Sequence, residues 1–144
     1  MIPDFRRNKR LYWKKYDYQE KPVADKSEPK TILIVDDSRI SRMMLRAIVE
    51  CEFSHWNILE AANGEEAKRL SETNHIDFIT LDMNMPGLDG LTVAPELKLN
   101  SPGVKIALIT ANFQERVRAK AETQGLVFIP KPITEDKVLN FLER

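Results

Sequence analysis

Cysteine and long apolar segments are scarce in this sequence, and both shortages restrict the classes of protein that it can encode. Cys51 is the only cysteine among 144 residues, so an internal disulfide framework is excluded and a reducing, cytoplasmic location is expected. We predict that Cys51 packs as a small apolar side chain near the end of a helix. Apolar stretches such as residues 78–81 are far shorter than the about 20 residues of a transmembrane helix. No apolar segment follows the basic N-terminus, so neither a secretory signal nor a membrane span is expected.

The sequence also lacks an excess of charge of either sign, but its charges are unevenly distributed. Basic and acidic residues number 22 each over the whole chain, whereas residues 1–30 carry nine basic and five acidic residues. That segment has a net charge of +4, and the remainder has −4. Residues 1–18 hold all three tyrosines, and residues 19–30 hold two prolines and a single branched aliphatic residue, which is typical of a linker. We predict a basic, aromatic arm over 1–18, a linker over 19–30 and one acidic domain over 31–144.

The acidic domain alternates between short apolar segments and segments with helical spacing or helix-capping residues. The predicted strands cover residues 31–35, 57–61, 77–81, 104–109 and 126–129. The predicted helices cover residues 40–48, 65–71, a segment after Gly90, 113–123 and 134–142. Apolar strands without polar alternation, each separated by a helix, are typical of a parallel sheet covered on both faces. We therefore predict an α/β fold, a doubly wound five-stranded parallel sheet of the flavodoxin-like kind.

Helix boundaries are marked by a few residues. Ser38 and Thr134 are predicted to cap the first and last helices with their hydroxyl groups. Gly125 is predicted to end the fourth helix. Pro95 falls inside the third helix, where a proline removes one backbone hydrogen bond and is expected to disturb the helix.

Polar residues follow four of the five predicted strands. Asp36 and Asp37 follow the first strand, Asp82 the third, Thr110 the fourth and Lys131 the fifth. Each has an ordinary alternative explanation: the aspartates could cap a helix, the threonine could finish a strand, and the lysine could be a solvated loop charge. Because the carboxyl ends of parallel strands meet at one edge of the sheet, where ligands bind, their joint placement predicts a functional site.

The residue types at this edge indicate phosphoryl transfer. Three neighbouring carboxylates would repel one another and raise one another's pKa values, and Mg²⁺, which prefers oxygen ligands, would relieve this repulsion. A threonine hydroxyl and a lysine ammonium group suit the oxygens of a phosphoryl group. An aspartate carboxylate can attack phosphorus as a nucleophile. We therefore predict phosphoryl transfer to an aspartate, assisted by Mg²⁺ and a lysine.

Four motifs resemble the receiver domain of bacterial response regulators, most closely its single-domain chemotaxis type. In chain order they are ILIVDDS at 32–38, LDMNMPGLDG at 81–90, ITA at 109–111 and KP at 131–132. The resemblance covers residues 31–144 and leaves the basic arm outside. It implies a cytoplasmic phosphoprotein of a two-component phosphorelay, with Mg²⁺ as its cofactor.

The resemblance also implies a role for each residue of the phosphorylation site. Asp82 would accept a phosphoryl group from a histidine kinase, a phosphotransfer protein or a small phosphodonor. Asp82 and Asp37 would ligate Mg²⁺ directly, Asp36 mostly through water, and Asn84 through its backbone carbonyl.

Further residues would bind the phosphoryl group and transmit its presence. Lys131 and Thr110 would contact the phosphoryl oxygens, and the Lys131–Pro132 peptide bond would be cis. Phe128 would turn inward with Thr110 and so change a protein-binding face formed by the fourth helix, fifth strand and fifth helix. Asn84 and Asn112 would tune hydrolysis, and neither offers an acidic base for fast self-dephosphorylation.

Several functions stay open at this point. The leading one is a signalling switch with no DNA-binding output domain, which catalyses only its own phosphorylation and dephosphorylation. The alternatives are a phosphate sink, a phosphorylation-independent pseudo-receiver adaptor, and an aspartate-nucleophile phosphohydrolase, whose acid/base carboxylate would be replaced here by Asn84. The basic arm is predicted to dock a protein partner, and a nucleic-acid partner is not expected.

Overall fold

The sheet consists of five parallel strands in a computed structural model that describes residues 28–144. The strands are β1 Thr31–Val35, β2 Asn57–Ala61, β3 Phe78–Asp82, β4 Lys105–Thr110 and β5 Val127–Pro130. Their spatial order is β2-β1-β3-β4-β5. The predicted doubly wound parallel α/β fold is therefore confirmed. The predicted arm over 1–18 and most of the linker over 19–30 lie outside the described residues, and the docking role of the arm stays a prediction.

Helices cover both faces of the sheet. They are α1 Arg39–Glu52, α2 Gly64–Thr73, α3 Gly90–Asn100, α4 Glu115–Thr123 and α5 Glu135–Leu142. Successive residues of β1 enter different cores: Leu33 packs with residues of α2, α3 and α4, whereas Ile34 packs with residues of α1 and α5. Because both faces are buried, the strands carry no polar alternation, which is the pattern that the sequence shows.

The predicted helix boundaries are confirmed at three positions. The Ser38 hydroxyl accepts a hydrogen bond from the backbone N–H of Ser41, at 3.2 Å. The Thr134 hydroxyl accepts one from the N–H of Lys137, at 3.4 Å. Gly125, just after α4, has a φ of +70°, a left-handed conformation that glycine adopts at little cost.

Pro95 lies inside α3, yet this helix runs unbroken from Gly90 to Asn100. A proline has no N–H to donate to the carbonyl four residues earlier, which here belongs to Leu91. The side chain of Gln124, next to the end of α4, replaces the missing donor: its Nε2 donates to the Leu91 carbonyl at 3.2 Å. A tertiary hydrogen bond thus compensates for the proline.

The prediction for Cys51 is wrong, because this side chain is exposed. Leu45 and Val49 form the buried side of α1. Cys51 follows Val49 by two residues, which places it about 200° around the helix axis, on the opposite side. None of the helices among residues 28–144 is long and apolar enough to cross a membrane.

Candidate functional site

Three carboxylates meet at the carboxyl edge of the sheet. β1 lies beside β3, with Val35 paired to Leu81, so the residues that follow or end these strands come together. One carboxylate oxygen from each of Asp36, Asp37 and Asp82 lies within 4.8 Å of the others. Asp36 and Asp82 are buried, at 2% and 3% exposure, whereas Asp37 is exposed. The fold thus brings together the three acids that the sequence predicted to share a site.

Burial and mutual repulsion disfavour the charged forms of the two inner acids. The pKa of Asp82 is raised to about 6, mainly by burial and also by the carboxylate of Asp36, while the Lys131 ammonium and the Asn84 N–H act in the opposite direction. Burial also raises the pKa of Asp36, against the lowering effects of the Ser38 N–H and Lys131. Positive charge at this edge is therefore insufficient to offset the buried carboxylates.

The position of Asp36 is fixed by hydrogen bonds from α1. Its Oδ1 accepts from the backbone N–H of Ser38 at 2.8 Å, and its carbonyl accepts from Nη1 of Arg42 at 2.8 Å. The Arg42 Nε in turn donates to Glu60 on β2, at 3.2 Å. Arg42 is thus a positioning residue that the sequence analysis missed. Its only signal in the sequence is an arginine in the first turns of the helix that follows the aspartate pair.

Lys131 directly follows β5, and Thr110 is the last residue of the neighbouring β4. The Nζ of Lys131 lies 3.4 Å from Oδ1 of Asp82, and its backbone N–H donates to the Thr110 carbonyl at 2.9 Å. Thr110 is fully buried. Its hydroxyl oxygen accepts from the backbone N–H of Asn112 at 2.9 Å, so in this structure the hydroxyl is bound within its own loop. The Lys131–Pro132 peptide bond is cis, as expected.

Of the predicted tuning and switch residues, Asn84 contacts Asp82 through its backbone, and Phe128 packs against the core. The backbone N–H of Asn84 donates to Oδ1 of Asp82 at 3.3 Å, and its side chain is exposed. Phe128 is partly buried against the core beneath α2, α3 and α4. The guanidinium carbon of Arg118, on α4, lies 5.2 Å from the centroid of the Phe128 ring, close enough for a cation–π contact.

The acid cluster has the chemistry of a hard divalent cation site. Its donors are all carboxylate oxygens, and oxygen is the ligand type that Mg²⁺ prefers. Burial is the main cause of the raised pKa values of Asp36 and Asp82, and a bound cation would favour the charged forms of both carboxylates. The residues present therefore fit Mg²⁺.

Comparisons with known proteins show which family the chain resembles. A family model described as the response regulator receiver domain matches residues 32–143. The chemotaxis protein CheY of Listeria monocytogenes is 34% identical over 114 residues, which are 78% of this chain and 95% of that protein. A solved CheX–CheY–BeF₃–Mg²⁺ complex from Borrelia burgdorferi matches with 34% identity and a TM-score of 0.69, covering 78% of this chain and 86% of that one. For the fold alone, CheY4 of Vibrio cholerae matches with a TM-score of 0.72 at 22% identity, covering 81% of this chain and 98% of that one.

Proposed function

The chain belongs to the response regulator receiver family, and on this premise we propose that it is a two-component signalling switch whose phosphoacceptor is Asp82. The observation that carries the proposal is the position of Asp82, buried beside Asp36 and 3.4 Å from the Lys131 ammonium group. Packing of the core does not require two acids and a lysine at one edge of the sheet. Phosphoryl transfer uses all of them.

In the proposed reaction, a carboxylate oxygen of Asp82 attacks the phosphorus atom of a phosphohistidine on a histidine kinase or phosphotransfer protein. The O–P bond forms, the N–P bond breaks, and the histidine nitrogen leaves with the bonding electron pair. A pKa of about 6 leaves Asp82 mostly ionised at pH 7, as a nucleophile must be. Mg²⁺, when bound by Asp36, Asp37, Asp82 and the Asn84 carbonyl, supplies positive charge to the carboxylate and phosphoryl oxygens.

The remaining predicted roles follow from the same reaction. Lys131 binds one phosphoryl oxygen, and Thr110 exchanges its bond with the Asn112 N–H for a hydrogen bond donated to another. Phe128 then moves inward and changes the face formed by α4, β5 and α5, which we call the α4–β5–α5 face. That face binds a downstream protein in the cytoplasm, as a partner of this switch. Asn84 and Asn112 limit access of water to the phosphoryl group.

Phosphorylation by acetyl phosphate tests the proposal directly. The full chain is incubated with acetyl phosphate and Mg²⁺ and resolved on a phosphate-affinity gel. We expect a shifted band in the wild type and none in Asp82→Asn. Asp136→Asn removes an exposed carboxylate on α5 and is expected to shift like the wild type.

Two results would contradict the proposal. One is an unshifted wild type, which would favour a pseudo-receiver adaptor, and the other is an equal shift in Asp82→Asn. Continuous release of phosphate from generic phosphate esters would instead indicate a phosphohydrolase, since the proposed switch takes up no more than one phosphoryl group per molecule.

A further inference from the structure

An open cleft of about 650 Å³ lies between α3 and α4, outside the acid cluster. Met83, Leu91 and Val117 contribute apolar surface, while Arg116 and Lys120 contribute positive charge. The volume is within the range of ligand sites in proteins, roughly 300–1,000 Å³. None of the residues that line this cleft belongs to the acid cluster, to β5 or to α5.

The two cations of the cleft lie one helical turn apart on α4. Both side chains are exposed, and neither forms an ion pair with a carboxylate of residues 28–144. Asp89, on the opposite side, contributes one negative charge, and its Oδ1 accepts from the backbone N–H of Thr92 at 2.8 Å. The two cations outnumber this carboxylate, so the net charge of the residues that line the cleft is positive.

Gln124 lines the cleft and has a buried hydrogen-bond acceptor. Its Nε2 is bound to the Leu91 carbonyl that Pro95 leaves without a donor, and its backbone carbonyl accepts from Nζ of Lys98. These two contacts hold the amide in place between α3 and α4. Its Oε1 is buried and has no hydrogen-bond partner. A buried acceptor without a partner costs free energy, and a ligand N–H group that displaced the atoms covering Oε1 would remove that cost.

We propose that this α3–α4 cleft binds an acidic peptide segment of a partner protein. Arg116, Lys120 and Thr123 form a row about 10 Å long on α4, which matches about three residues of an extended chain. Acidic side chains would pair with the two cations, an aliphatic side chain would contact Leu91, and a backbone N–H would donate to Gln124. The inference goes beyond the proposed function, because it requires no phosphoryl group on Asp82.

Peptide binding to the unphosphorylated full chain tests the proposal. The probe is a fluorescein-labelled decapeptide of alternating glutamate and leucine, and its binding is followed by fluorescence anisotropy. We expect Lys120→Glu to weaken binding about tenfold, the magnitude of losing one well-formed charge pair. Lys120→Gln, which removes the charge without reversing it, is expected to give a smaller loss in the same direction. Arg69→Glu reverses an exposed cation on α2 and is expected to change the affinity less than about twofold.

Amide chemical shifts locate the peptide. The proposal expects the shifts to concentrate at Met83, at the start of α3 and along α4 up to Gln124. Equal weakening by Arg69→Glu and Lys120→Glu would show non-specific attraction and overturn the proposal. So would shifts centred on β5 and α5, displacement of the peptide by an equimolar mononucleotide, or the absence of binding at millimolar peptide.

Discussion

At the amino edge of the sheet, aromatic rings stack and backbone groups are paired, whereas at the carboxyl edge two carboxylates are buried close together. At the amino edge the ring centroid of Phe78 lies 5.4 Å from that of Trp56 and 5.5 Å from that of Phe141. Two side chains there accept backbone hydrogen bonds: Asp77 from Thr31 at 2.9 Å and Ser101 from Ile76 at 3.1 Å. These ring contacts and hydrogen bonds stabilise the fold at the amino edge.

The carboxyl edge has the opposite character. The pKa values of Asp36 and Asp82 are raised. Their charged forms therefore destabilise the folded state at neutral pH. Such a site persists only because the rest of the domain stabilises the fold around it. The amino edge thus stabilises the fold, whereas the carboxyl edge holds carboxylates in an arrangement that destabilises it.

The largest expected effect is at the amino edge. Phe78→Ala removes a buried ring and leaves a cavity, so we expect the free energy of unfolding to fall by about 3–5 kcal/mol, measured by urea denaturation. Phe113→Ala is the control, because this phenylalanine is 65% exposed and its loss should change stability by no more than about 0.5 kcal/mol. Similar losses in the two variants would contradict the role assigned to the aromatic cluster.

At the carboxyl edge, removal of a charge is expected to stabilise the fold. Asp82 has a folded pKa of about 6, above its ordinary value of 3.8, so its contribution to stability is present below about pH 4 and is lost as the pH rises through 6. That interval corresponds to about 3 kcal/mol. We therefore compare the free energies of unfolding of Asp82→Asn and the wild type in EDTA. The difference in favour of Asp82→Asn should increase by about 2–3 kcal/mol as the pH rises from 4 to 7.5.

Urea denaturation at several pH values measures this difference. Asp136→Asn, which removes an exposed carboxylate, is the control for the loss of one negative charge. A constant difference between Asp82→Asn and the wild type across the range would show that Asp82 is not destabilised by burial.

A third variant tests the paired backbone at the amino edge. Ser101→Ala leaves the buried N–H of Ile76 without its acceptor, and we expect a loss of about 1–2 kcal/mol. Hydrogen exchange should accelerate at the Ile76 amide. Ser54→Ala, at an exposed position, should leave both quantities unchanged. Unaltered protection of Ile76 in Ser101→Ala would refute this account.

The smallest expected effect concerns the contact between Arg118 and Phe128. A cation–π contact is worth about 0.5–1 kcal/mol, so if Phe128 switches as proposed, Arg118→Ala should shift its equilibrium toward the proposed inward position about two- to fivefold. The initial rate of phosphorylation by acetyl phosphate should rise by the same factor. Arg118→Lys keeps the cation and should stay close to the wild type. An unchanged or slower rate in Arg118→Ala would show that the position of Phe128 does not control phosphorylation of the site.

The course of the chain was predictable where local pattern and topology agree. The apolar segments that became β1 and β3 end at Asp36 and Asp82, and the rule that parallel strands share one carboxyl edge was enough to bring these acids together. The strand limits were predicted less accurately. β3 ends at Asp82, whereas the sequence predicted its end at Leu81.

Side-chain contacts that do not follow from the order of the strands were not predictable from the sequence. Gln124 bonds to the carbonyl of Leu91, 33 residues away, and nothing local to either residue indicates this. Likewise, Asp36 and Asp37 are identical in type and adjacent, yet one is buried and the other exposed. Only the direction in which each side chain leaves the strand end distinguishes them.

The site draws its members from the ends of four strands, and these members span the chain from Asp36 to Lys131. In the unfolded chain of residues 28–144, they would be dispersed through a coil with a radius of gyration of roughly 35 Å. Under the proposed function, a phosphodonor can therefore react productively only with folded copies. Every phosphorylated molecule would therefore be a folded one, and misfolded copies would not contribute to the signal.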